Sequence, residues 1–274
     1  MIDFRSADNE NAAALVAALP LAQQQAWQSI RAQVKGITLD LWGTLLDDGQ
    51  APADTMLRKE ERKQYLQRRL QECGHHVSAD QMQAAYRSAW EYFDALWLQQ
   101  KAFGTADGLR EMLRFLKIEL TDGFFDDVVL YFEEFRNPPP LLPDVVPAVT
   151  RLANKYSLAL ISDTAWTPGR ELTKILSDYG MADCFRSMIY SGEVGVTKPH
   201  AEMFHRALHG LQVPPAACLH VGDLQRTDVA GAAAAGMYTA WIAHPAYAGE
   251  EQDDYAPDII VNSVAQLTEL LFLE

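Results

Sequence analysis

The chain reads as an α/β protein, a mainly parallel β-sheet with helices on both faces, carrying a long helical block inserted after the first strand. Three observations lead there. In the second half of the sequence, short β-favouring apolar runs alternate with helix-length amphipathic segments. One apolar run, Gly-Ile-Thr-Leu at 36–39, stands far upstream of that alternation. Between them, from about Pro52 to Arg136, the pattern is helical throughout and closes on Pro138-Pro139-Pro140. Strands alternating with helices of this length imply right-handed crossovers, and the early strand is expected in the same sheet.

The elements follow in order. The N-terminal residues hold an apolar segment at 12–22, preceded by Asp3, Asp8 and Glu10 where a secretory signal would carry positive charge, so an amphipathic helix is expected. GITLDLWGTLLDD, Gly36 to Asp48, reads as a buried strand broken by Gly43 and ending in a turn. TMLRKEERKQYLQRRLQEC, SADQMQAAYRSAWEYFDALWLQQ, GLREMLRFLKIEL and GFFDDVVLYFEEF read as helices, with Ser78 and Asp107 as caps of two. The proline run marks a linker. Beyond it come VVPAVTRLANKY as helix, SLALIS as strand, GRELTKILSDYG as helix and CFRSMIYS as strand. AEMFHRALHGL (helix), ACLHVGD (strand), TDVAGAAAAGM (helix), MYTAWIA (strand) and DIIVNSVAQLTELL (strand, then helix) complete the chain. The expected organisation is an N-terminal helical arm at 1–34, a core formed by 35–50 with 138–274, and a helical insertion at 51–137.

Composition narrows the function. With 274 residues, 49% of them hydrophobic and 22% charged, the chain can bury a sizeable core, and disordered or fibrous classes are excluded. Its 37 acidic against 23 basic side chains, a net charge of −14, argue against a nucleic-acid partner and against an anionic membrane surface. No stretch reaches the roughly 18–20 apolar residues of a membrane helix. Cys73, Cys184 and Cys218 are widely spaced and odd in number, which suggests neither disulfides nor a zinc site and fits a reducing cytoplasm.

In a parallel α/β sheet, ligands bind beyond the carboxyl ends of the strands. Asp40 follows GITL, Ser162 follows LALI, Lys198 lies in the loop after SMIYS, and Asp223 follows CLHVG with Asp228 five residues on. No Ser/His/Asp or Cys/His grouping recurs at strand ends. One carboxylate nucleophile, one hydroxyl, one cation and an acidic pair suit phosphoryl or related group transfer through an aspartyl intermediate. Asp40 would attack, and magnesium on Asp40 and Asp223 would neutralise phosphoryl charge. Ser162 and the amides after it would bind phosphoryl oxygens, Lys198 would offset the carboxylates, and Gly43 would permit the sharp turn behind Asp40.

The segments Asp-Leu-Trp-Gly-Thr-Leu, Ser-Asp-Thr, Thr-Lys-Pro and Val-Gly-Asp-Leu-Gln-Arg-Thr-Asp resemble the four ordered motifs of the haloacid dehalogenase-like hydrolase superfamily. The helical block is similar in position to that superfamily's helical cap of the first type. The resemblance covers roughly Lys35 to the C-terminus. It implies a Rossmann-like core, a mobile lid, Asp40 as nucleophile, and Ser162 and Lys198 as its phosphate and charge partners. It further implies a magnesium ion on Asp40, the Trp42 backbone carbonyl, Asp223 and Asp228.

One departure stands out. Phosphatases of the superfamily usually carry Asp two residues after the nucleophile, as general acid and base, and here that residue is Trp42. An indole offers only a donor N–H. General acid–base help is worth about 10²–10⁴ in rate, so a slow enzyme or a good leaving group is expected. Dehalogenases of the superfamily often have an aromatic there, but their fourth motif commonly carries Ser and Asn where this chain has Gly222 and Asp223, and their second motif Asn where it has Asp163. Two acidic residues beside Asp40 without a metal would repel each other strongly. The expected function is therefore that of a magnesium-dependent phosphatase of a small phosphorylated metabolite, acting through an aspartyl-phosphate intermediate on Asp40, with a small phosphorylated or other anionic molecule as its partner. The alternatives are a 2-haloacid dehalogenase, or a catalytically weak member that binds a phosphorylated ligand or a protein.

Other features have blander readings. Arg58, Lys59, Arg62 and Lys63 read as a solvated helix face. Trp90, Tyr92, Phe93 and Trp97 read as core of the insertion, His75 and His76 as turn residues, and His220 as a hydrogen-bonded core histidine. The arm at 1–34 would pack on the core or mediate self-association, with a monomer or homodimer as the default.

Overall fold

The structure, a computed structural model, describes residues 21–47, 52–119, 122–134, 138–243 and 255–273. The arm's apolar stretch before Leu21 lies outside the described residues. Its continuation, helix α1 (Leu21–Gln33), buries Trp27 and Ile30 in the main core.

Six parallel strands form one sheet in the order β3-β2-β1-β4-β5-β6. They are β1 (Gly36–Leu39), β2 (Ser157–Ser162), β3 (Phe185–Tyr190), β4 (Cys218–Gly222), β5 (Tyr238–Ile242) and β6 (Ile259–Val261). The isolated upstream run thus becomes a central strand, paired to β2 from Gly36–Ser157 onward and to β4 from Gly36–Cys218 onward. Its four residues are all buried, as a strand covered on both faces requires.

Alternate residues of each strand point to opposite faces, so one run feeds two cores. Leu158 and Leu160 of β2 join Ile37, Leu39, Leu219 and Val221 on one face. There they meet α1, α6 (Val145–Ala153), α7 (Gly169–Asp178) and α11 (Val264–Leu271). Ala159 and Ile161 face the other way, toward Met203, Phe204 and Ala207 of α9 (Ala201–Leu211). Between α7 and α9 lies the single turn α8 (Ser191–Val194). The late Ala-rich helix is shorter than its sequence pattern. A π-helical turn, Gln225–Val229, occupies its start, and only α10 (Ala230–Ala234) is regular.

The block between β1 and β2 is helical, as expected: α2 (Pro52–Glu72), α3 (Ala79–Leu98), α4 (Thr105–Leu116) and α5 (Asp122–Glu133). Ser78 caps α3 through a reciprocal box with Gln81. Asp107 proves not to be an N-cap: α4 begins earlier, at Thr105, and Asp107 reaches back to accept the Gly104 N–H at 3.0 Å. These helices enclose a separate apolar cluster containing Leu66, Leu70, Met82, Tyr86, Leu109, Met112 and Phe132. Trp166, from the loop after β2, completes it, with Ala165 packed beside it. The two chain crossings between block and sheet pair with each other, since Leu142 N–H donates to Leu45 and Asp47 N–H to Pro140. Among the described residues, no helix is long and apolar enough to cross a membrane.

Candidate active site

The sheet order reverses around β1: the chain moves outward through β2 and β3, then returns to the other side of β1 for β4. The crevice at that reversal, beyond the strand carboxyl ends, is where such sheets bind ligands. Asp40 leaves β1 there, its N–H donating to Val221 at 2.9 Å. Asp223 leaves β4, with its carbonyl accepting the Trp241 indole N–H at 2.8 Å. Gly43 turns the chain with φ +69°, and a Cβ there would stand 2.2 Å from an Asp223 carboxylate oxygen. Gly222 is equally constrained, since a Cβ would meet Asp228 Cγ at 2.3 Å.

Four of the five side chains expected at strand ends converge. Lys198 Nζ donates to Asp40 Oδ1 at 2.5 Å and to Asp228 Oδ1 at 2.6 Å, and all three side chains are almost fully buried. One carboxylate oxygen each of Asp40, Asp223 and Asp228 lies within 4.8 Å of the others. The fifth residue, Ser162, ends β2 but is fully buried, its hydroxyl donating to the Asp163 carbonyl at 3.2 Å. The cleft wall after β2 is made instead by Asp163 to Thr167.

Burial raises the Asp40 carboxyl above its ordinary pKa, with Lys198 opposing the rise and Asp228 adding to it. Burial alone would raise Asp228 too, but Lys198 and His220 hold it well below the carboxylate range. Lys198, which burial would depress, is carried above its ordinary value by Asp228, Asp40 and Asp163. One buried ammonium among so many buried carboxylates leaves a negative excess that an additional cation would relieve.

His220 is a hydrogen-bonded core histidine, as expected, and its partners tie it to the site. Nε2 lies 3.1 Å from Asp228 Oδ1 and Nδ1 lies 2.7 Å from Thr38 Oγ1. Burial lowers its pKa, and a neutral ring donating from Nε2 and accepting at Nδ1 satisfies both contacts. Asp228 also accepts the Leu224 N–H at 3.1 Å, so it fastens the loop that carries Asp223.

A cleft of about 400 Å³ opens over this centre between sheet and insertion. Asp40, Trp42, Asp163, Lys198 and Asp223 line it from the sheet, and Tyr86, Trp90, Phe93 and Trp97 from α3. Trp90 and Phe93 pack on the insertion's core as expected, yet they also face the cleft. Trp97 does more. Its indole N–H donates to Asp163 Oδ2 at 3.2 Å, and the Arg226 guanidinium lies 4.2 Å from its ring centroid. The other Asp163 oxygen accepts the Lys198 main-chain N–H at 3.0 Å. Main-chain bonds from Ala102 to Gly195 and from Thr197 to Gln100 join the same two parts.

The expectation of a solvated face for Arg58, Lys59, Arg62 and Lys63 is overturned. The first three line the cleft, and Lys63 is buried against Glu60 and Gln83. The reason is a single stripe at four-residue spacing, 58-62-66-70, along α2. Its far half, Leu66 and Leu70, lies in the insertion's core, while its near half passes the cleft mouth. Arg62 donates to the Phe132 carbonyl at 3.0 and 2.6 Å and lies 5.8 Å from the Trp166 ring centroid. Trp166 was not singled out in the sequence; in the structure Gly108 makes room for it, since a Cβ there would stand 2.5 Å from the Trp166 ring.

Comparison with known proteins agrees with this arrangement. A family model described as haloacid dehalogenase-like hydrolase matches residues 34–236. The glyceraldehyde 3-phosphate phosphatase of Pyrococcus furiosus is 34% identical over 42% of this chain and 48% of that protein. The phosphoserine phosphatase of Thermus thermophilus is 30% identical over 61% of each. The chain thus spans between about half and three fifths of the length of these curated relatives. A 2-haloacid dehalogenase from Pseudomonas syringae superposes with a TM-score of 0.64 at 22% identity, covering 87% of this chain and 98% of that one. A phosphatase from Thermococcus onnurineus does so with 0.58 at 20% identity, covering 88% and 99%. At such identities the likeness concerns the fold alone. The six-stranded sheet, the helical insertion after its first strand and the family match over most of the chain agree: the chain belongs to the haloacid dehalogenase-like hydrolases.

Proposed function

We propose that the protein is a magnesium-dependent phosphatase of a small phosphorylated metabolite, with Asp40 as nucleophile. The observation that carries this reading is the buried group of Asp40, Asp223 and Asp228 around the single ammonium of Lys198. Hard carboxylate oxygens in negative excess suit magnesium, which Asp40, Asp223, Asp228 and the Trp42 carbonyl would hold. A bound magnesium ion supplies positive charge to the phosphoryl oxygens. Lys198 holds Asp40 Oδ1, which leaves Oδ2 to attack phosphorus and fixes its direction. The main-chain amides after Ser162 are the proposed phosphate contacts, and Ser162 itself, its hydroxyl turned to the Asp163 carbonyl, anchors the loop that carries them. Water then hydrolyses the aspartyl-phosphate and returns the Asp40 carboxylate. In this reading 51–137 is the cap, 35–50 with 138–274 the core and 1–34 an arm on it. The cysteines, unpaired in the structure, fit a reducing cytoplasm.

The test is release of phosphate from 4-nitrophenyl phosphate and a panel of phosphorylated metabolites, with magnesium and with chelator. Activity that needs magnesium and vanishes in Asp40→Asn is the expected result, and metal-independent turnover would sink the reading. Trp42 at the cleft favours one other reading, a 2-haloacid dehalogenase attacking carbon. Halide release from 2-chloropropionate tests it directly.

A further inference from the structure

Resting on the phosphatase reading, we infer that the substrate carries a second anionic group, a carboxylate or a further phosphate, held by Arg62 and Lys59 while its phosphoryl group faces Asp40. The signs of charge in the cleft are segregated. Its acidic side chains, Asp40, Asp163 and Asp223, all come from the sheet, and its cations other than Lys198 come from one stretch of α2, Arg58, Lys59 and Arg62. Among the described residues, no carboxylate of the insertion lines the cleft. The phosphoryl group belongs at the sheet end, beside the nucleophile and Lys198, so a ligand that spans the cleft presents its other end to α2.

Arg62 is the firmest indication. Its half-buried guanidinium donates through Nε and Nη2 to the Phe132 carbonyl at 3.0 and 2.6 Å and lies 5.8 Å from the Trp166 ring centroid. Both partners are neutral. Among the described residues no carboxylate forms an ion pair with it, although Glu61 and Glu134 border a smaller hollow beside it. Burial lowers its pKa, and Tyr86 and Glu61 only partly oppose that shift. A cation taken out of water without a counterion is costly, since neutral dipoles replace only part of its hydration. The two neutral contacts fix the guanidinium in direction without cancelling its charge, which leaves that charge for a ligand. Lys59 stands three residues earlier on α2, half-buried at the cleft and likewise without an ion pair among the described residues. Cations at this spacing on one helix face repel each other, and an anion between them reverses the sign of that interaction. The protein as a whole, at −14, repels a doubly anionic substrate, so such a substrate is accepted only where local cations outweigh the general field.

Matched pairs isolate the second group in the wild-type protein with magnesium. Phosphate esters of short ω-hydroxy acids, from phosphoglycolate upward, are compared with the alkyl phosphates of the same chain length, and propane-1,3-diol bisphosphate with propyl phosphate. Each serves as an inhibitor of 4-nitrophenyl phosphate hydrolysis, so compounds that are turned over slowly or not at all are scored as well. The expected result is an inhibition constant at least about fivefold lower for the charged member of one or more pairs, within the reach of a single charge-assisted hydrogen bond. The acid pairs read a carboxylate and the bisphosphate pair a second phosphate. Lys59→Met and Arg62→Gln should each narrow that gap by weakening the charged member more than its neutral counterpart; if Arg62→Gln does not fold, Lys59→Met and the wild-type series decide. A smaller gap in every wild-type pair, or variants that weaken both members of a pair alike, would overturn the inference while leaving the phosphatase reading intact. Failure to release phosphate from 4-nitrophenyl phosphate with magnesium would instead refute the phosphatase reading itself.

Discussion

Lys198→Met removes the one ammonium from the buried carboxylate group while keeping much of its stem. In the metal-free protein Asp40 and Asp228 then lose the cation they share at 2.5 and 2.6 Å. Removing one partner of a buried ion pair costs about 3–5 kcal/mol, because the remaining charge is left without compensation. Both carboxylates are nearly sealed from water, so the upper half of that range applies near pH 8. Acid relieves the cost. Burial raises Asp40 even with Lys198 present, so without it the folded-state pKa lies further above the ordinary 3.8. The folded variant then binds more protons than the unfolded chain, and its stability falls as pH rises from about 4 through that raised pKa, by up to about 1.4 kcal/mol per pH unit for one proton. Asp228 has the opposite sign in the wild type. Its depressed pKa contributes stability that is present above about pH 4 and lost on acidification, and the variant forfeits much of it. The deficit of Lys198→Met should therefore be present already near pH 5, where the wild type keeps the Asp228 contribution, and should grow by about 1 kcal/mol or more toward pH 8, where Asp40 has to ionise without its partner. Urea unfolding of both proteins in chelator, at three pH values across that interval, measures it. A deficit that does not change with pH, or one below about 1 kcal/mol throughout, would refute the electrostatic account.

Gly43→Ala forces a side chain into a left-handed backbone conformation and into Asp223, so magnesium affinity measured by calorimetry should fall at least about tenfold while the circular dichroism spectrum stays native. Trp97→Phe takes one donor from the half-buried Asp163, a bond to a charged group worth about 1.5–3 kcal/mol. Trypsin should then cut after Lys101 several times faster, and unchanged cutting would count against Trp97 as a fastening. Thiol titration should find Cys73 reactive in the native protein and Cys218, pushed up to about 12 by burial, silent until unfolding. Lys59→Met should raise KM for a phosphorylated substrate that carries a carboxylate more than for 4-nitrophenyl phosphate, since Lys59 lines the cleft.

The sheet was legible because each buried parallel strand reads as a short apolar run and each crossover helix carries its own amphipathic period. Asp40, Asp223 and Lys198 were legible for a related reason: in this architecture the residue after such a run lies in the ligand crevice. What stayed hidden depended on how the insertion sits over the sheet. The sequence of α2 marks 58-62-66-70 as one stripe but does not say that half of it leaves the apolar cluster and borders the cleft. Trp166 carried no local signal because its partners, Tyr86 and Phe132, are distant in sequence. His220 read correctly as a core histidine, yet its bond to Asp228 depends on a register between β4 and the following π-helical turn that no local pattern encodes.

The paired crossings at Leu45–Leu142 and Asp47–Pro140 bear on how the chain folds. β1 must find β2 across the whole length of the insertion, a loop closure that is entropically costly and slow when the intervening chain is unstructured. Helices α3 and α4 meet through near neighbours in sequence and can form early. Once the insertion has folded with its ends side by side, β1 and β2 are held close before they pair, and the closure from Gly36 to Ser157 becomes a short one. The helical block would then act as a folding clamp for the central strands, and mutations in its cluster should slow refolding of the sheet as well as unfold the block.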